Sequence, residues 1–190
     1  SGNIVLPELW NVGLFVGKSG TGKTVIAREL FSNFYIERFN YSANAVIDDM
    51  PADKSVEEIV KAFNSVGFNS VPSWLKPYNV LSQGEKMRVD LARAILSDYE
   101  IIVFDEFTSV VDRQVARFGA FAIQKAIRKM NRKFIAVTCH YDVEDWLLPD
   151  WTFSTDTMTF YLNKKKERLT LKFDIYVIEY IKKKRINGKF

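Results

Sequence analysis

Val12-Gly13-Leu14-Phe15-Val16 runs directly into Gly17-Lys18-Ser19-Gly20-Thr21-Gly22-Lys23-Thr24, and the helix-prone Val25-Ile26-Ala27-Arg28-Glu29-Leu30-Phe31 comes next. An apolar strand, a glycine-rich loop and a helix in this order form a phosphate cradle. Glycine dihedrals let successive backbone N–H groups converge on an anion, and the helix N-terminus adds a partial positive charge. At this spacing Lys23 would reach the β- and γ-phosphates, and the Thr24 hydroxyl would ligate Mg²⁺.

The remaining composition is that of an ordinary soluble globular chain: 190 residues, 47% hydrophobic and 26% charged. That length suits one main domain. A single cysteine, Cys139, forms no internal disulfide, so nothing points to an oxidising compartment. No apolar run approaches a membrane span, and the N-terminus lacks the basic-then-apolar pattern of a signal peptide. The expectation is a cytoplasmic protein without membrane insertion.

The net charge of +4 is unevenly spread. Residues 163–190 hold ten Lys/Arg against three acids, a local balance of +7, which leaves −3 on the first 162 residues. A basic C-terminal extension on a slightly acidic body fits either contact with nucleic acid or another anionic surface, or a solvated tail that lysine keeps soluble.

Periodicity predicts alternating strands and helices. The first helix is expected to run through Phe34, with Ile26, Leu30 and Phe34 inward. Ala45-Val46-Ile47 reads as a short buried strand delivering Asp48 and Asp49 to a loop before Pro51. A helix start at Ser55 carries Ile59, Ala62, Phe63 and Val66 on one face, and Pro72 and Pro77 keep the segment after Gly67 from continuing it. Leu81-Ser82-Gln83-Gly84-Glu85 precedes a helix over Lys86 to Leu96 in which Met87, Leu91, Ala94 and Ile95 make one stripe, and Ser82 and Glu85 have the spacing of a capping box. Ile101-Ile102-Val103-Phe104 is a buried strand ending in Asp105-Glu106. Arg113 to Lys129 reads as a helix with Val115, Phe118, Ala122 and Ala126 inward, and Phe134 to Cys139 as a strand ending at His140. Beyond Pro149, short strand-like runs (151–153, 158–162, 169–178) suggest antiparallel pairing at a sheet edge. Each polar motif sits just after a strand, where ligands bind in open parallel sheets.

Two acids after a buried strand, downstream of a phosphate loop, have a specific use. Asp105 would hold Mg²⁺ through water, and Glu106 would polarise the water that attacks the γ-phosphate.

The order of these motifs resembles the ATP-binding-cassette (ABC) ATPases. Gly17–Thr24 matches Walker A, Leu81–Glu85 the signature, Ile101–Glu106 Walker B, Ser109-Val110-Val111-Asp112 the D-loop, and His140 the switch histidine. The resemblance implies an α/β P-loop NTPase fold of ABC type over residues 1–162. The sheet would be mostly parallel, with flanking helices, a reduced helical subdomain at about 55–96 and short antiparallel C-terminal strands. It implies ATP and Mg²⁺ as cofactors. It also implies an ATP-dependent head-to-tail homodimer in which Ser82, Gln83, Gly84 and Glu85 of one copy face the γ-phosphate of the other, beside Asp112. His140 would contact that phosphate in cis, joining Lys23 and Glu106 as catalytic groups.

Several features depart from the transporter pattern. The signature ends in Glu85, as in the chromosome-maintenance and DNA-repair branch. No glutamine lies between Thr24 and Gln83, so the Q-loop residue is missing, and Asp48 or Asp49 would take over its contact with Mg²⁺ or water. Trp10 does not match the spacing of the adenine-stacking aromatic residue, so adenine is implied by the family alone. Phe63–Gly67, Trp74–Tyr78, Asp105–Arg113 and Cys139–Trp146 also look like soluble bacterial and phage ABC ATPases often fused to an acetyltransferase domain. The resemblance leaves three readings: a soluble ATPase switch acting on nucleic acid or on a fused or partner enzyme; the ATP-binding subunit of a membrane transporter; and an ATP-dependent binding module with negligible turnover.

Overall fold

A computed structural model describes residues 5–36 and 39–163; the basic extension and the strand expected at 169–178 lie outside the described residues. Among the described residues six strands form one sheet: β1 (Val12–Val16), β2 (Tyr35–Ile36), β3 (Ile101–Phe104), β4 (Lys133–Thr138), β5 (Trp151–Ser154) and β6 (Thr159–Leu162). Their order is β2-β3-β4-β1-β5-β6. Every neighbouring pair is parallel except β5 and β6. The expected mostly parallel sheet with an antiparallel C-terminal edge is therefore present, but β5 itself runs parallel to β1.

Every residue of β1 is buried, as its uninterrupted apolar run requires of a strand covered on both faces. Alternate side chains divide between two apolar layers. Val12, Leu14 and Val16 join Ile102, Phe134 and Ala136 on one face, while Phe15 meets Val103, Ile135, Val137, Trp151 and Phe153 on the other. A Cβ at Gly13 would lie 2.1 Å from the Trp151 ring, so that position has no room for a side chain.

Helix α1 (Lys23–Phe31) packs on the Phe15 face and ends sooner than expected, passing into a 3₁₀ turn at Ser32–Phe34. Its buried residues are Ala27 and Phe31, whereas Leu30 is 48% exposed. Ala27 and Phe31, four residues apart, make the inward stripe, with Phe31 edge-on to Phe15 at 6.3 Å, and Leu30 lies outside it.

Between α1 and β3 lie α2 (Val56–Ser65), α3 (Val71–Trp74), a 3₁₀ turn at Tyr78–Val80 and α4 (Gln83–Leu96). Helices α2 and α4 each begin with a complete capping box, Ser55 with Glu58 and Ser82 with Glu85. Such a cap stabilises a helix start by about 1 kcal/mol. The expected inward residues Ile59, Ala62, Phe63 and Val66 of the α2 region and Met87, Leu91, Ala94 and Ile95 of α4 are all buried. Phe63 packs against Phe68 and Trp74, with centroids 5.1 and 5.5 Å away, and the Trp74 indole N–H donates to the Phe68 carbonyl at 2.8 Å.

Residues 45–47 are not a strand. They form turns in which the N–H groups of Asp48 and Asp49 donate to Ala45 and Val46, while Val46 and Ile47 donate to the carbonyls of Lys76 and Trp74. With the Val46 and Ile47 N–H groups committed to the segment 74–76, the run does not join the sheet, whose edge beside β3 is β2. Val46 is still fully buried, under the α2–α4 layer.

Helix α5 (Arg113–Met130) buries Ala116, Gly119, Ala120, Ile123, Ala126 and Ile127. Phe118 is 67% exposed, so the apolar face is displaced from the expected one. The cause is close packing against α4. A Cβ at Gly119 would meet Met87 Cε at 2.2 Å, and the small residues therefore face inward. A short helix α6 (Val143–Leu147) leads into β5.

Candidate functional site

Strands β1, β3 and β4 end side by side, with Val16 opposite Thr138 and Phe104 opposite Ala136. The phosphate loop, Asp105-Glu106 and Cys139-His140 thus emerge at one edge of the sheet, as their positions after apolar strands predict.

Within the loop, Gly20 and Gly22 have φ of 82° and 85°. These left-handed values are strained for residues bearing a Cβ, and Gly22 is the N-cap of α1 without any side-chain cap. The first N–H groups of α1 therefore depend on a ligand or water. Lys23 Nζ donates to the Lys18 carbonyl at 2.6 Å, and the Thr21 hydroxyl donates to the same oxygen at 2.8 Å. The cradle's two flexible donors thus fold onto its own backbone, with Ser19 exposed beside them.

Thr24 Oγ1 donates to Asp105 Oδ2 at 3.0 Å, and Asp105 Oδ1 accepts from the Glu106 N–H at 2.8 Å. Among the described residues no cluster of three or more His, Cys, Asp or Glu forms a metal cage. The Thr24 and Asp105 oxygens nevertheless fit Mg²⁺, which takes hard oxygen ligands and typically one or two protein groups together with substrate phosphates and water.

Glu106 is exposed and adopts φ of 50°. Its neighbour fixes it: Phe107 is fully buried, and its N–H donates to the Val137 carbonyl at 2.9 Å. This anchor leaves the Glu106 carboxylate pointing away from the core. Thr108 comes next, with φ of 68° and a buried hydroxyl without a partner among the described residues. Backbone strain of this kind costs on the order of 1–3 kcal/mol and concentrates at working sites.

Ser82 accepts from the Glu85 N–H at 3.3 Å, while Glu85 accepts from the Ser82 N–H at 2.9 Å and from the Ser73 hydroxyl at 2.7 Å. The Ser73 hydroxyl and the Ser82 backbone hold the Glu85 carboxyl below its usual range. A Cβ at Gly84 would lie 2.9 Å from Val115, so the α4 start abuts the α5 start. Asp112 caps α5, accepting from Gln114 and Val115 N–H groups at 2.9 and 3.1 Å. A cavity of about 860 Å³ brings Gln83 and Lys86 of α4 together with Asp105 and Glu106.

Asp48 and Asp49 do not line that cavity. Asp49 accepts from the N–H groups of Ser42 and Ala43, and Asp48 is exposed. Trp10 is a core residue, 7% exposed and packed edge-on against Trp151 at 5.4 Å.

His140 is half-buried, and its backbone N–H donates to Thr138 Oγ1 at 3.2 Å. Burial and then the Arg113 guanidinium push the imidazole below its usual pKa, against the opposing charge of Asp142.

Sequence reasoning missed two groups. Asp156 accepts from the Lys18 N–H at 3.0 Å and from the Tyr141 hydroxyl, while Thr155 pairs with the Thr21 hydroxyl at 2.6 Å. The polar run 154–157 between two apolar strands was the only available signal. The second group is on α4, where Asp90 accepts from Tyr41 at 2.7 Å and Tyr78 at 2.9 Å, whose rings stack at 3.9 Å and 2°. Burial raises the Asp90 carboxyl above its usual range. Nothing in local sequence announces this contact, because its partners lie on three separate segments.

Residues 28–109 match the profile of the ABC transporter family. The energy-coupling factor transporter ATP-binding protein of Onion yellows phytoplasma (strain OY-M) is 42% identical over 66 residues, which are 35% of this chain and 22% of that relative's length. This chain thus matches only about a fifth of the relative. A dimeric bacterial ABC transporter cassette superposes with TM-score 0.62 at 15% identity, covering 80% of this chain and 83% of its own. A component of an ABC transporter complex from Clostridium perfringens superposes with TM-score 0.62 at 17% identity, covering 76% and 72%. Strand order, loop geometry and these likenesses agree, and the chain carries the fold of an ABC-type P-loop ATPase domain.

Proposed function

We propose that this chain binds ATP with Mg²⁺ and hydrolyses it as an ABC-type ATPase that closes head to tail with a second copy. The observation that carries this reading is the Thr24–Asp105 hydrogen bond beside Glu106. It joins the end of the phosphate loop to two acids at the end of β3, 81 residues away in sequence. Bound between these oxygens and the nucleotide, Mg²⁺ would neutralise charge on the phosphates. The N–H groups of residues 17–24 cradle the phosphates, and Lys23 exchanges the Lys18 carbonyl for a phosphate oxygen. Glu106 orients the attacking water and accepts its proton, and His140 contacts the γ-phosphate. From the second copy, Ser82 and the N–H groups at Gln83 and Gly84 face that phosphate beside Asp112. Glu85 acts through its cap, since its oxygens are engaged by Ser82 and Ser73.

The biological setting has two readings. A switch acting on a partner enzyme is favoured by the absence of a glutamine between Thr24 and Gln83. The ATP-binding subunit of a transporter is favoured by the relative's name and the matched profile. Among the described residues no helix is long and apolar enough to cross a membrane. Steady-state phosphate release from Mg-ATP tests the activity. Turnover that Glu106→Gln removes supports an ATPase, and ATP binding without turnover in the wild type supports a binding module. Retention of a membrane protein on the tagged chain would select the transporter setting.

A further inference from the structure

The loop that carries His140 is tied on both sides by the two residues after it. On one side the Tyr141 hydroxyl donates to Asp156 Oδ2, and Asp156 Oδ1 accepts from the Lys18 N–H at 3.0 Å, so this arm reaches the phosphate loop. On the other side Asp142 takes a two-point bridge from Arg113, with Nε donating to Oδ2 at 3.0 Å and the second guanidinium nitrogen to Oδ1. Arg113 is the first residue of α5, directly after its N-cap Asp112. Its guanidinium also lies over the Trp146 ring, 4.9 Å from the centroid, and its remaining terminal nitrogen is buried without a hydrogen-bond partner among the described residues. A planar fork held at two points and stacked on a ring has little rotational freedom. We propose that Tyr141 and Asp142 are positioning residues which, through Asp156 and Arg113, hold His140 in fixed relation to the phosphate loop and the start of α5.

The proposal rests on the ATPase reading for its kinetic consequence but not for its structural one. A residue that only stabilised the fold would leave the active population unchanged once folded. A residue that sets the place of His140 lowers kcat in fully folded protein, because misplacement of a catalytic group by about 1 Å can cost a hundredfold. The two arms also differ electrostatically. The charged groups acting on the imidazole are Arg113 from α5 and Asp142 from its own loop. Arg113 holds the His140 pKa down and Asp142 holds it up.

His140 is the only histidine of the chain, so its proton resonances in the nucleotide-free full chain report one titration. Arg113→Gln is expected to move the midpoint up and Asp142→Asn to move it down, with both variants folded by circular dichroism. Tyr141→Phe removes a single hydroxyl and is expected to lower kcat for phosphate release with KM unchanged. Arg113→Lys is not expected to rescue Arg113→Gln, because an ammonium offers neither the fork nor the stack. Unchanged midpoints in both charge variants, or a wild-type kcat in folded Tyr141→Phe, would overturn the proposal. If the wild type releases no phosphate, the ATPase reading fails by itself, and the histidine titration still decides whether the bridge governs this loop.

Discussion

The Thr24 hydroxyl donates to Asp105 Oδ2 across 3.0 Å, and this contact joins the first turn of α1 to the end of β3. Two oxygens held at that separation, one from each side of the site, can share a cation with the phosphates. Asp105→Ala is therefore expected to abolish Mg-dependent turnover while leaving Mg-independent nucleotide binding to the loop. Equilibrium binding of a fluorescent ATP analogue, with Mg²⁺ and with chelator, checks this. The variant should lose the difference between the two conditions, and an undiminished difference would place the cation elsewhere.

Glu106→Gln keeps size and hydrogen bonding but removes the base. Phosphate release is expected to slow by about 10² to 10⁴, with ATP binding retained. Lys23→Ala should behave oppositely, losing binding itself. A Glu106→Gln variant turning over at the wild-type rate would remove Glu106 from the catalytic role.

Dimerisation is expected to require ATP, because the exposed start of α4 gains its partner only when a γ-phosphate stands opposite. Sedimentation of Glu106→Gln with Mg-ATP should show a dimer. Adding Ser82→Arg should dissolve it by bulk. Ser82→Asp should dissolve it by charge while preserving an N-cap, since aspartate caps about as well as serine. A dimer that survives both changes would have its interface elsewhere.

Acid stability carries a contribution from Glu85. Its carboxyl is held below the usual range by the Ser73 hydroxyl first and the Ser82 N–H second. A depressed acid contributes stability that is fully present above its unfolded value, about 4.3, and is lost as pH falls through the folded value. Ser73→Ala should therefore lower the thermal midpoint at neutral pH. The gap from wild type should narrow as pH falls below about 4. A gap independent of pH would mean that Ser73 acts only by packing.

The chemistry was legible in sequence because it is local. A glycine loop after an apolar run, a serine three residues before a glutamate, and two acids closing a buried strand each define their own backbone geometry. The phosphate loop, the Ser82–Glu85 capping box, the helix start at Ser55 and the strand ends at Asp105 and His140 accordingly lie where the sequence puts them. Which face of a helix turns inward was decided only by the tertiary structure. In α5, Phe118 is the more apolar choice, yet close contact with Met87 admits only Gly119 and its small neighbours, so Phe118 faces out. The same holds for residues 45–47, whose apolarity fits a strand or a buried turn equally, and whose hydrogen bonds to Trp74 and Lys76 select the turn. The Asp90 and Asp156 contacts, like the two-point bridge from Arg113 to Asp142, join residues distant in the chain. Periodicity carries no information about such pairs, because they come together only when the sheet order and the packing of α4 bring their segments side by side.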